Sequence, residues 1–550
     1  MDHLLTISAS VLYFLESVAL IVGLVYSASI AVHQQGEIYE GAMLKKLLSV
    51  GGFTLLSRIT GFARDVLMAW ILGKGIMSDA FLFAFLFPNY FRAIFGEGTI
   101  NPAFLPRYAA LYAKGETHAA ARFANQIFSW QLAAQAIVLV GALIGMPLLV
   151  HLFVPGYTAD QLALTADLAR ITFPYLILTV VAIQLSAMLN AIGKFWAAAA
   201  WSNLLNLSMI ATLLGSHWFP NAAYAAAWGV LLGGVLQLVF ILWAARRDGL
   251  TVRITRPRWT PEVAEFLKAF GIVTFGAASV VVAPLIDFFI ASYLPTGSRT
   301  ALYYADRINQ LPLGVIGIAL GTVLLPEMSS LLAKNDRAGS DASQNRAAAL
   351  TLLLTLPFAV VFMAIPDTIM RAVFAHGAFD RNSAELAALA LAAYGAGLPA
   401  MALVRIVSST FYARHDTLTP AKATVTSIVC NVALKVIFVW GFHLGVAGVA
   451  LGTALGAWIN VAVLSWFGRS RALLAIEAIF VKALPPVLLA AAAAGAGAWF
   501  GARFGRAFLP GSFSEVAALA FAIAGAGMSY GAVVLMFRAR LPLGKFARWI

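Results

Sequence analysis

Charge is what this sequence has least of. Asp, Glu, Lys and Arg make up 11% of its 550 residues, less than half of the roughly 25% usual in a soluble domain. From Phe195 to Ala245 none occurs, and only the turn-like His217-Trp218-Phe219-Pro220-Asn221 interrupts that run. Such a stretch holds two helices of about 20 residues, the length that crosses a hydrocarbon layer of ~30 Å. A soluble globular architecture is excluded. Cysteine is limited to Cys430, so there is neither a disulfide framework nor a Cys-rich metal site. The eight histidines are scattered, and no nucleotide-binding P-loop, metal-ligand cluster or nucleophile elbow occurs. ATP hydrolysis within the chain is therefore excluded, and an integral membrane enzyme lacks a catalytic set. Acid is scarcer than base, giving a formal net charge of +13. Because the cations lie mostly in short loops between apolar segments, the excess reflects membrane orientation rather than nucleic-acid binding.

Hydrophobic residues reach 61%. From Leu47 onward they gather into fourteen apolar segments, at 47–72, 77–105, 123–150, 162–190, 196–216, 222–245, 264–293, 300–332, 347–374, 384–412, 418–440, 444–467, 480–502 and 514–537. The chain reads as an all-α polytopic membrane protein. With Lys45 cytoplasmic, the internal connections hold Arg107, Lys114, Arg246, Arg247, Arg253, Arg256, Arg258, Lys268, Arg414 and Arg471 among others. The outer ones have Lys74, Arg170, Arg299, Arg371, Arg381, Arg503 and Arg506, and this asymmetry fits both the count and the orientation. An internal repeat is visible as well: Leu105-Pro106, followed by Lys114-Gly115-Glu116, returns as Leu325-Pro326, followed by Lys334-Asn335-Asp336, and Asp65 is answered by Asp287. Six helices per repeat is an even number, so both repeats share one orientation, as in transporters that bind cargo between their halves and rock to alternate access. The expected division is an N-terminal extension at 1–42, an N-lobe at 43–245, a C-lobe at 246–467, and a final helix pair with a basic tail at 468–550. For the extension three readings stay open: an extra transmembrane helix, an uncleaved signal-like segment, or a start codon read too early. The last is slightly favoured, since Met43-Leu44-Lys45-Lys46 looks like a cytoplasmic N-terminus.

Against this apolar background the stretch from Ser57 to Arg107 stands out, because it carries Arg58, Arg64, Asp65, Asp79, Arg92 and Glu97. An Arg or Asp at mid-bilayer costs about 2.5–3.5 kcal/mol, so these side chains are expected to face water or protein, lining a hydrated, net-basic cavity. Arg58, Arg64 and Arg92, joined by Arg307 from the second half, offer planar forks that grip phosphate oxygens bidentately; together they suit a diphosphate. Snorkelling to the interface is the competing reading, strongest for Arg58 and Arg92 near helix ends. The acids Asp65, Asp79, Glu97, Asp287 and Asp306 can pair with the arginines in one conformation and release them in another, or simply neutralise them. Asp79 also suits a helix N-terminus. Asp287, midway along an apolar segment, and Asp416 are candidates for a coupling-cation site. Gly61, Pro88, Gly96-Glu97-Gly98, Pro102, Pro174, Pro284, Pro312 and Pro399 interrupt the spans, and the Gly-Glu-Gly triplet is expected to be irregular backbone bordering the cavity. Gly448, Gly452 and Gly456 read as close helix packing, as does the small-residue face at Gly495 and Gly497.

Several of these residues form a specific pattern. Ser57-Arg58-Ile59-Thr60-Gly61-Phe62-Ala63-Arg64-Asp65, then Ser78-Asp79-Ala80-Phe81, Pro88-Asn89, Arg92, Ile94-Phe95-Gly96-Glu97-Gly98, Tyr303-Tyr304-Ala305-Asp306-Arg307 and Leu320-Gly321-Thr322 closely resemble the MurJ (MviN) family of lipid II flippases in the MOP exporter superfamily. The resemblance covers about residues 43–550. It implies two pseudo-symmetric six-helix lobes around a central cavity, plus two C-terminal helices forming a groove for the lipid tail. It also implies that Arg58, Arg64, Arg92 and Arg307 match the family's substrate-binding arginines, with Asp65, Asp79 and Glu97 its functional acids. The implied cargo is lipid II, a polyprenyl diphosphate bearing a disaccharide-pentapeptide, carried from the cytoplasmic to the outer leaflet of the bacterial inner membrane. Expected partners are lipid II, membrane lipids and cell-wall synthesis enzymes, with no nucleic acid and a monomeric chain. No cofactor is expected; membrane potential or a coupled cation would supply the drive. The rivals are a flippase for another diphosphate-linked oligosaccharide of the O-antigen type, a non-transporting scaffold for cell-wall enzymes, and a multidrug exporter, whose cationic substrates suit an acidic cavity better than this basic one.

Overall fold

A computed structural model describes the backbone of residues 40–542 except 98, 99, 510 and 512, and the side chains over that range except 40–50, 97, 272–273, 275–280, 315 and 317–323. Residues 1–39, most of the N-terminal extension, lie outside the described residues, as do Gly98, the Glu97 side chain and the basic C-terminal end at 543–550.

Each of the fourteen apolar segments coincides with a helix or a broken pair of helices. The first half contains α1 (Glu40–Leu72), α2 (Ile76–Arg92), α3 (Ile100–Ala113), α4 (Thr117–Phe153), α5 (Ala159–Thr172), α6 (Tyr175–Ala191), α7 (Phe195–Ala200), α8 (Ser202–Leu214), α9 (Ala222–Arg247) and α10 (Pro261–Ser292). The second contains α11 (Ser298–Ala333), α12 (Arg337–Ala364), α13 (Pro366–Phe374), α14 (Arg381–Tyr412), α15 (Leu418–Val436), α16 (Gly445–Ser470), α17 (Ala478–Phe508) and α18 (Ser514–Met536). Ten helices or helix pairs among the described residues are long and apolar enough to cross a membrane. The breaks follow local chemistry. Between α2 and α3, Ala93–Glu97 forms a π-helical turn, the irregular backbone expected at Gly96-Glu97. Pro174, which cannot donate a backbone hydrogen bond, separates α5 from α6. Asn221 opens α9 by accepting the N–H groups of Ala223 and Tyr224, as an N-cap should.

Packing divides the chain at Gly297–Ser298, not at 245/246. The reason is that α10, expected in the second lobe, is held by the first unit near both its ends. Near its start Arg107 pairs with Glu265, and at its end the Ser292 hydroxyl accepts the Gly156 N–H at 3.1 Å. A Cβ at Gly156 would meet the Ser292 backbone, so that approach requires glycine. The first unit thus runs to Gly297, and the second begins with α11.

Within the second unit, α17 and α18 make the closest helix pair. Cβ atoms built at Gly497, Gly501 and Gly505 would strike the backbone of Gly525, Phe521 and Ala517 respectively, a small-residue seam at four-residue spacing. The Gly448, Gly452 and Gly456 face packs against Phe438, Lys435 and Asn431, as read from the sequence. The pair is fastened to the rest of the unit at both ends. At one end Arg371 reaches Glu385 at 2.7 Å and Glu515 at 3.6 Å, while Arg506 bonds the Thr368 hydroxyl at 2.8 Å. At the other, Asn345 donates to the Ala475 carbonyl at 2.8 Å and accepts the Glu477 N–H at 3.1 Å. Midway along, the Tyr530 hydroxyl donates to the Leu353 carbonyl.

The glycine seam gives a direct test. Gly501→Leu inserts a side chain where only backbone fits, so we expect about 1–3 kcal/mol of destabilisation from overpacking, read as a lower Tm in detergent. Gly527→Leu on the same helix pair, where nothing lies within reach of a Cβ, should leave Tm unchanged.

Candidate functional site

The first charged motif is buried by α8. Arg64 is 5% exposed and Asp65 2%, so both have left water and need partners inside the protein. Arg64 Nη2 and Nε lie 2.6 and 3.0 Å from Asp65 Oδ1, and Nη1 donates to Asn206 Oδ1 at 3.0 Å. The guanidinium also sits 5.2 Å from the centroid of the Phe85 ring on α2. Asn206 in turn donates to the Ser57 carbonyl and the Thr60 hydroxyl, each at 3.1 Å. Its amide nitrogen would lie 3.4 Å from a Cβ at Gly61, in ordinary contact with that turn of α1. One turn earlier on α8, Asn203 accepts the Thr60 hydroxyl at 3.3 Å, and the Ser202 hydroxyl bonds that of Ser57 at 3.1 Å. The α1 motif is therefore a polar seam between two apolar helices, and every hydroxyl and amide in it has a stated partner.

Beside this seam lies a cavity of about 360 Å³, lined on α1 by Thr54, Ser57 and Arg58, and on α2 by Asn89 and Arg92. Tyr175, Trp201, Ser202 and Gln237 contribute from α6, the α7–α8 junction and α9. Its size falls in the ~300–1,000 Å³ range of small-ligand sites. Arg92 is oriented by Asn89, whose Oδ1 accepts Nε at 3.1 Å while Nδ2 donates to the Phe85 carbonyl at 2.7 Å. Pro88 sits inside α2 just before this pair. Gln237 is 2% exposed and donates Nε2 to the Trp201 carbonyl at 3.2 Å. That bond fixes the amide orientation and leaves Oε1 buried without a hydrogen-bond partner.

The remaining predicted residues of the first unit separate from this cavity. Asp79, 2% exposed in the first turn of α2, accepts the Gly297 N–H at 2.6 Å, which ties the end of the first unit to the start of α2. Gly297 has φ +91°, and a Cβ there would run into the Lys74 stem, so glycine is required twice over. Asp287 is half-buried on α10. The neighbouring Phe288 packs on Phe83 and Tyr90 of α2, with ring centroids 5.3 and 6.2 Å apart.

In the second unit, Arg307 lies over the Tyr303 ring one helical turn away, 4.7 Å from its centroid, and donates to the Tyr303 hydroxyl at 2.7 Å. Asp306 accepts Gln310 Nε2 at 3.1 Å. Asp416 precedes α15, accepting the Thr419 N–H and hydroxyl at 2.9 and 2.6 Å and pairing with Arg471 at 3.0 Å. The Thr419 hydroxyl, then its N–H, with help from Arg471, hold the Asp416 carboxyl below the usual carboxylate range. That geometry caps a helix and pins a loop. No group of three potential metal ligands occurs among the described residues.

Sequence reading expected all four arginines on one cavity. Arg58 and Arg92 line the cavity of the first unit, whereas Arg64 is buried against Asp65 and Asn206 and Arg307 lies on Tyr303. The groups that orient them were missed. Asn203 and Asn206 fall within the charge-free run, and their signal is Ser202, Asn203 and Asn206 gathered on one short helix otherwise made of apolar residues. Tyr303 could have been found at i−4 from Arg307. Gln237, alone in an apolar helix, carries a weaker signal.

Comparison with known proteins assigns the chain to a family. The family model for lipid II flippase MurJ matches residues 68–519. A relative from Rhizobium tropici, named Probable lipid II flippase MurJ, is 38% identical over 430 residues, covering 76% of this chain and 79% of the relative. Among solved structures, a lipid II flippase MurJ in an inward closed conformation superposes with a TM-score of 0.74 at 24% identity, over 89% of this chain and 99% of that one. An inward-facing MATE multidrug transporter of the MOP superfamily gives 0.64 at 18% identity, over 78% of this chain and 98% of that one. These structural likenesses concern the fold, whereas the family match and the sequence identity extend over most of the chain. On that evidence, this chain is a member of the MurJ family of lipid II flippases.

Proposed function

We propose that this protein moves lipid II from the cytoplasmic to the outer leaflet of the bacterial inner membrane, and that Arg58 and Arg92 receive its diphosphate. The observation that carries this reading is the polar cavity of the first unit, which brings two guanidiniums from different helices to one space within a membrane protein. Phosphate oxygens are the ligands that such forks bind best. Neutral amides and hydroxyls on the remaining walls suit an uncharged sugar. The tail of a polyprenyl lipid needs no protein cavity, because it is soluble in the bilayer.

Arg64 acts one step behind. Bound to Asp65 and Asn206, it holds the α1 motif against α8, and it takes part in cargo binding when the pair exchanges partners. Arg307, stacked on Tyr303, presents the second unit's guanidinium. Lipid II carries negative charge outward from a cell with a negative interior. The membrane potential then favours the step by about 2.3 kcal/mol per charge per 100 mV, so potential alone is a sufficient drive, with Asp287 the candidate should a cation also be coupled. Delivery outside hands the cargo to cell-wall synthesis enzymes.

The decisive experiment is rescue of bacteria depleted of their own lipid II flippase, with lipid II assayed outside the membrane at matched protein levels. The parent should restore growth. Arg92→Ala and Arg307→Ala should each lower external lipid II at least tenfold, since removing a charged hydrogen-bonding partner costs about 2–5 kcal/mol. Unchanged delivery by both would sink the diphosphate assignment, and a parent that inserts but restores nothing would favour another diphosphate-linked cargo. Asn206→Leu removes the Arg64 acceptor and two donated bonds while keeping a side chain of similar size. It should lower Tm by an amount matching about 1–3 kcal/mol as well as reducing delivery. Gly297→Ala, forced into the Lys74 stem, should reduce delivery more than Gly527→Ala at matched expression.

A further inference from the structure

Residues 251–260 connect α9 to α10 without a helix or strand of their own, yet three of their N–H groups and two of their carbonyls are bonded to side chains of α4. The Arg253 N–H donates to Asn125 Oδ1 at 2.8 Å, the Thr255 N–H to Ser129 Oγ at 2.9 Å and the Arg258 N–H to Gln126 Oε1 at 3.0 Å. In return Gln126 donates to the Arg256 carbonyl at 3.4 Å, and Trp130 Nε1 to the Arg258 carbonyl at 3.2 Å. The Trp130 and Trp259 rings meet edge to face, 5.9 Å apart. Asn125, Gln126, Ser129 and Trp130 occupy one face of α4, so the connection lies along that face as a strap. What it turns outward is an unusual mixture. Arg253, Arg256 and Arg258 are exposed, Ile254 is 74% exposed and Trp259 69%.

The depth of the strap follows from α4. Its outward apolar residues Ile137, Val140, Ile144, Leu148 and Leu152 mark the lipid-facing stripe. A hydrocarbon layer of ~30 Å needs about 20 residues, so it ends about one turn before Ile137. At ~1.5 Å per residue, Trp130 then lies within about 5 Å of that boundary and Asn125 within about 13 Å. The headgroup layer is ~5–7 Å thick on each side, so the Trp130 end of the strap, with Arg258 and Trp259, lies within it. The Asn125 end, with Arg253, reaches just beyond it, where a long arginine side chain still meets headgroup phosphates. The excess of basic loops puts both ends on the cytoplasmic side. Nearby acids are already engaged: Asp248 with Lys194 at 3.4 Å, and Glu262 and Glu265 with Arg107. No ion pair holds Arg253, Arg256 or Arg258 among the described residues.

We infer that the strap from Thr251 to Thr260 is a docking surface for anionic phospholipids of the cytoplasmic leaflet. Arg253, Arg256 and Arg258 take headgroup phosphates, while Trp259 enters the boundary between headgroups and acyl chains and Ile254 lies among the headgroups above it. Charge complementarity selects the partner, and the two large apolar side chains favour a membrane over a soluble protein. Cations alone would serve either, but exposed Ile and Trp at headgroup depth are covered by lipid without any further contact. The inference rests on the membrane-spanning fold and stands apart from the identity of the cargo.

The test uses the full chain in phosphatidylcholine nanodiscs containing increasing phosphatidylglycerol, with the lipids retained after extraction counted by native mass spectrometry. The parent should keep phosphatidylglycerol in preference to phosphatidylcholine. Arg253→Gln/Arg256→Gln/Arg258→Gln should weaken that retention at least about tenfold, whereas Arg538→Gln/Arg540→Gln, removing two cations elsewhere, should not. Arg253, Arg256 and Arg258 bond α4 through their backbone N–H and carbonyl groups, so the glutamines leave those bonds in place. A spin label at Trp259→Cys in a Cys430→Ser background supplies a second readout, with headgroup-level depth expected in phosphatidylglycerol vesicles. Retention by the triple variant equal to the parent's, or a label as water-accessible as a soluble loop, overturns the proposal. So does loss of cargo-lipid binding with phosphatidylglycerol retention unchanged, which would assign the strap to cargo capture instead.

Discussion

A charged side chain inside a membrane protein has few places to go, and the Arg64–Asp65 pair shows how much structure that necessity organises. The two are adjacent in sequence and both almost fully buried, so their mutual attraction repays the loss of water only when the remaining hydrogen-bonding capacity is also met. Asn206 meets it, and in doing so ties α8 to α1 through Ser57 and Thr60. The Ser202–Ser57 and Asn203–Thr60 contacts extend the same tie along the two helices. A polar seam of this kind positions the cavity more firmly than apolar packing could, because hydrophobic surfaces between membrane helices have no preference for each other over lipid.

The same logic separates the charged residues into kinds. Arg58 and Arg92 line a cavity, Arg92 steered by Asn89; Arg64 is buried against Asp65 and Asn206, and Arg307 rests on an aromatic face. Asp79 serves a backbone amide and Asp416 a helix start. Residues of one chemical type within one sequence motif therefore occupy different mechanical positions. The difference is set by what stands opposite each of them and not by their spacing.

Much of this was legible in the sequence. Fourteen apolar segments became helices because hydrophobic length in a membrane leaves the backbone no alternative, and the backbone at Gly96-Glu97 did depart from the α-helix in the second of them. The glycine face at 448–456 packed as its spacing implied, although the tighter seam extending from Gly497 to Gly501 and Gly505 was seen only at its first position. The lobe boundary was harder. Hydropathy counts helices but does not say which neighbour a helix chooses, and α10 chose the first unit through Ser292, Glu265 and the strap. Partners of the arginines were harder still, since an asparagine in an apolar run carries no periodic signal. Its importance lies in the group facing it from another helix.

The contact between α17 and α18 has a mechanical consequence. Where helices meet through interlocking side chains, their spacing can drift as rotamers change. Here glycine places backbone directly on backbone, so the distance between the two axes is fixed by main-chain thickness alone. The pair behaves as a single beam, stiff against spreading and clamped near both ends by Arg371, Arg506 and Asn345. Bending or tilting as one body remains open to it, but parting along its length does not. Any groove that forms beside it must therefore widen by displacing the neighbouring helices, with this edge acting as the fixed jamb.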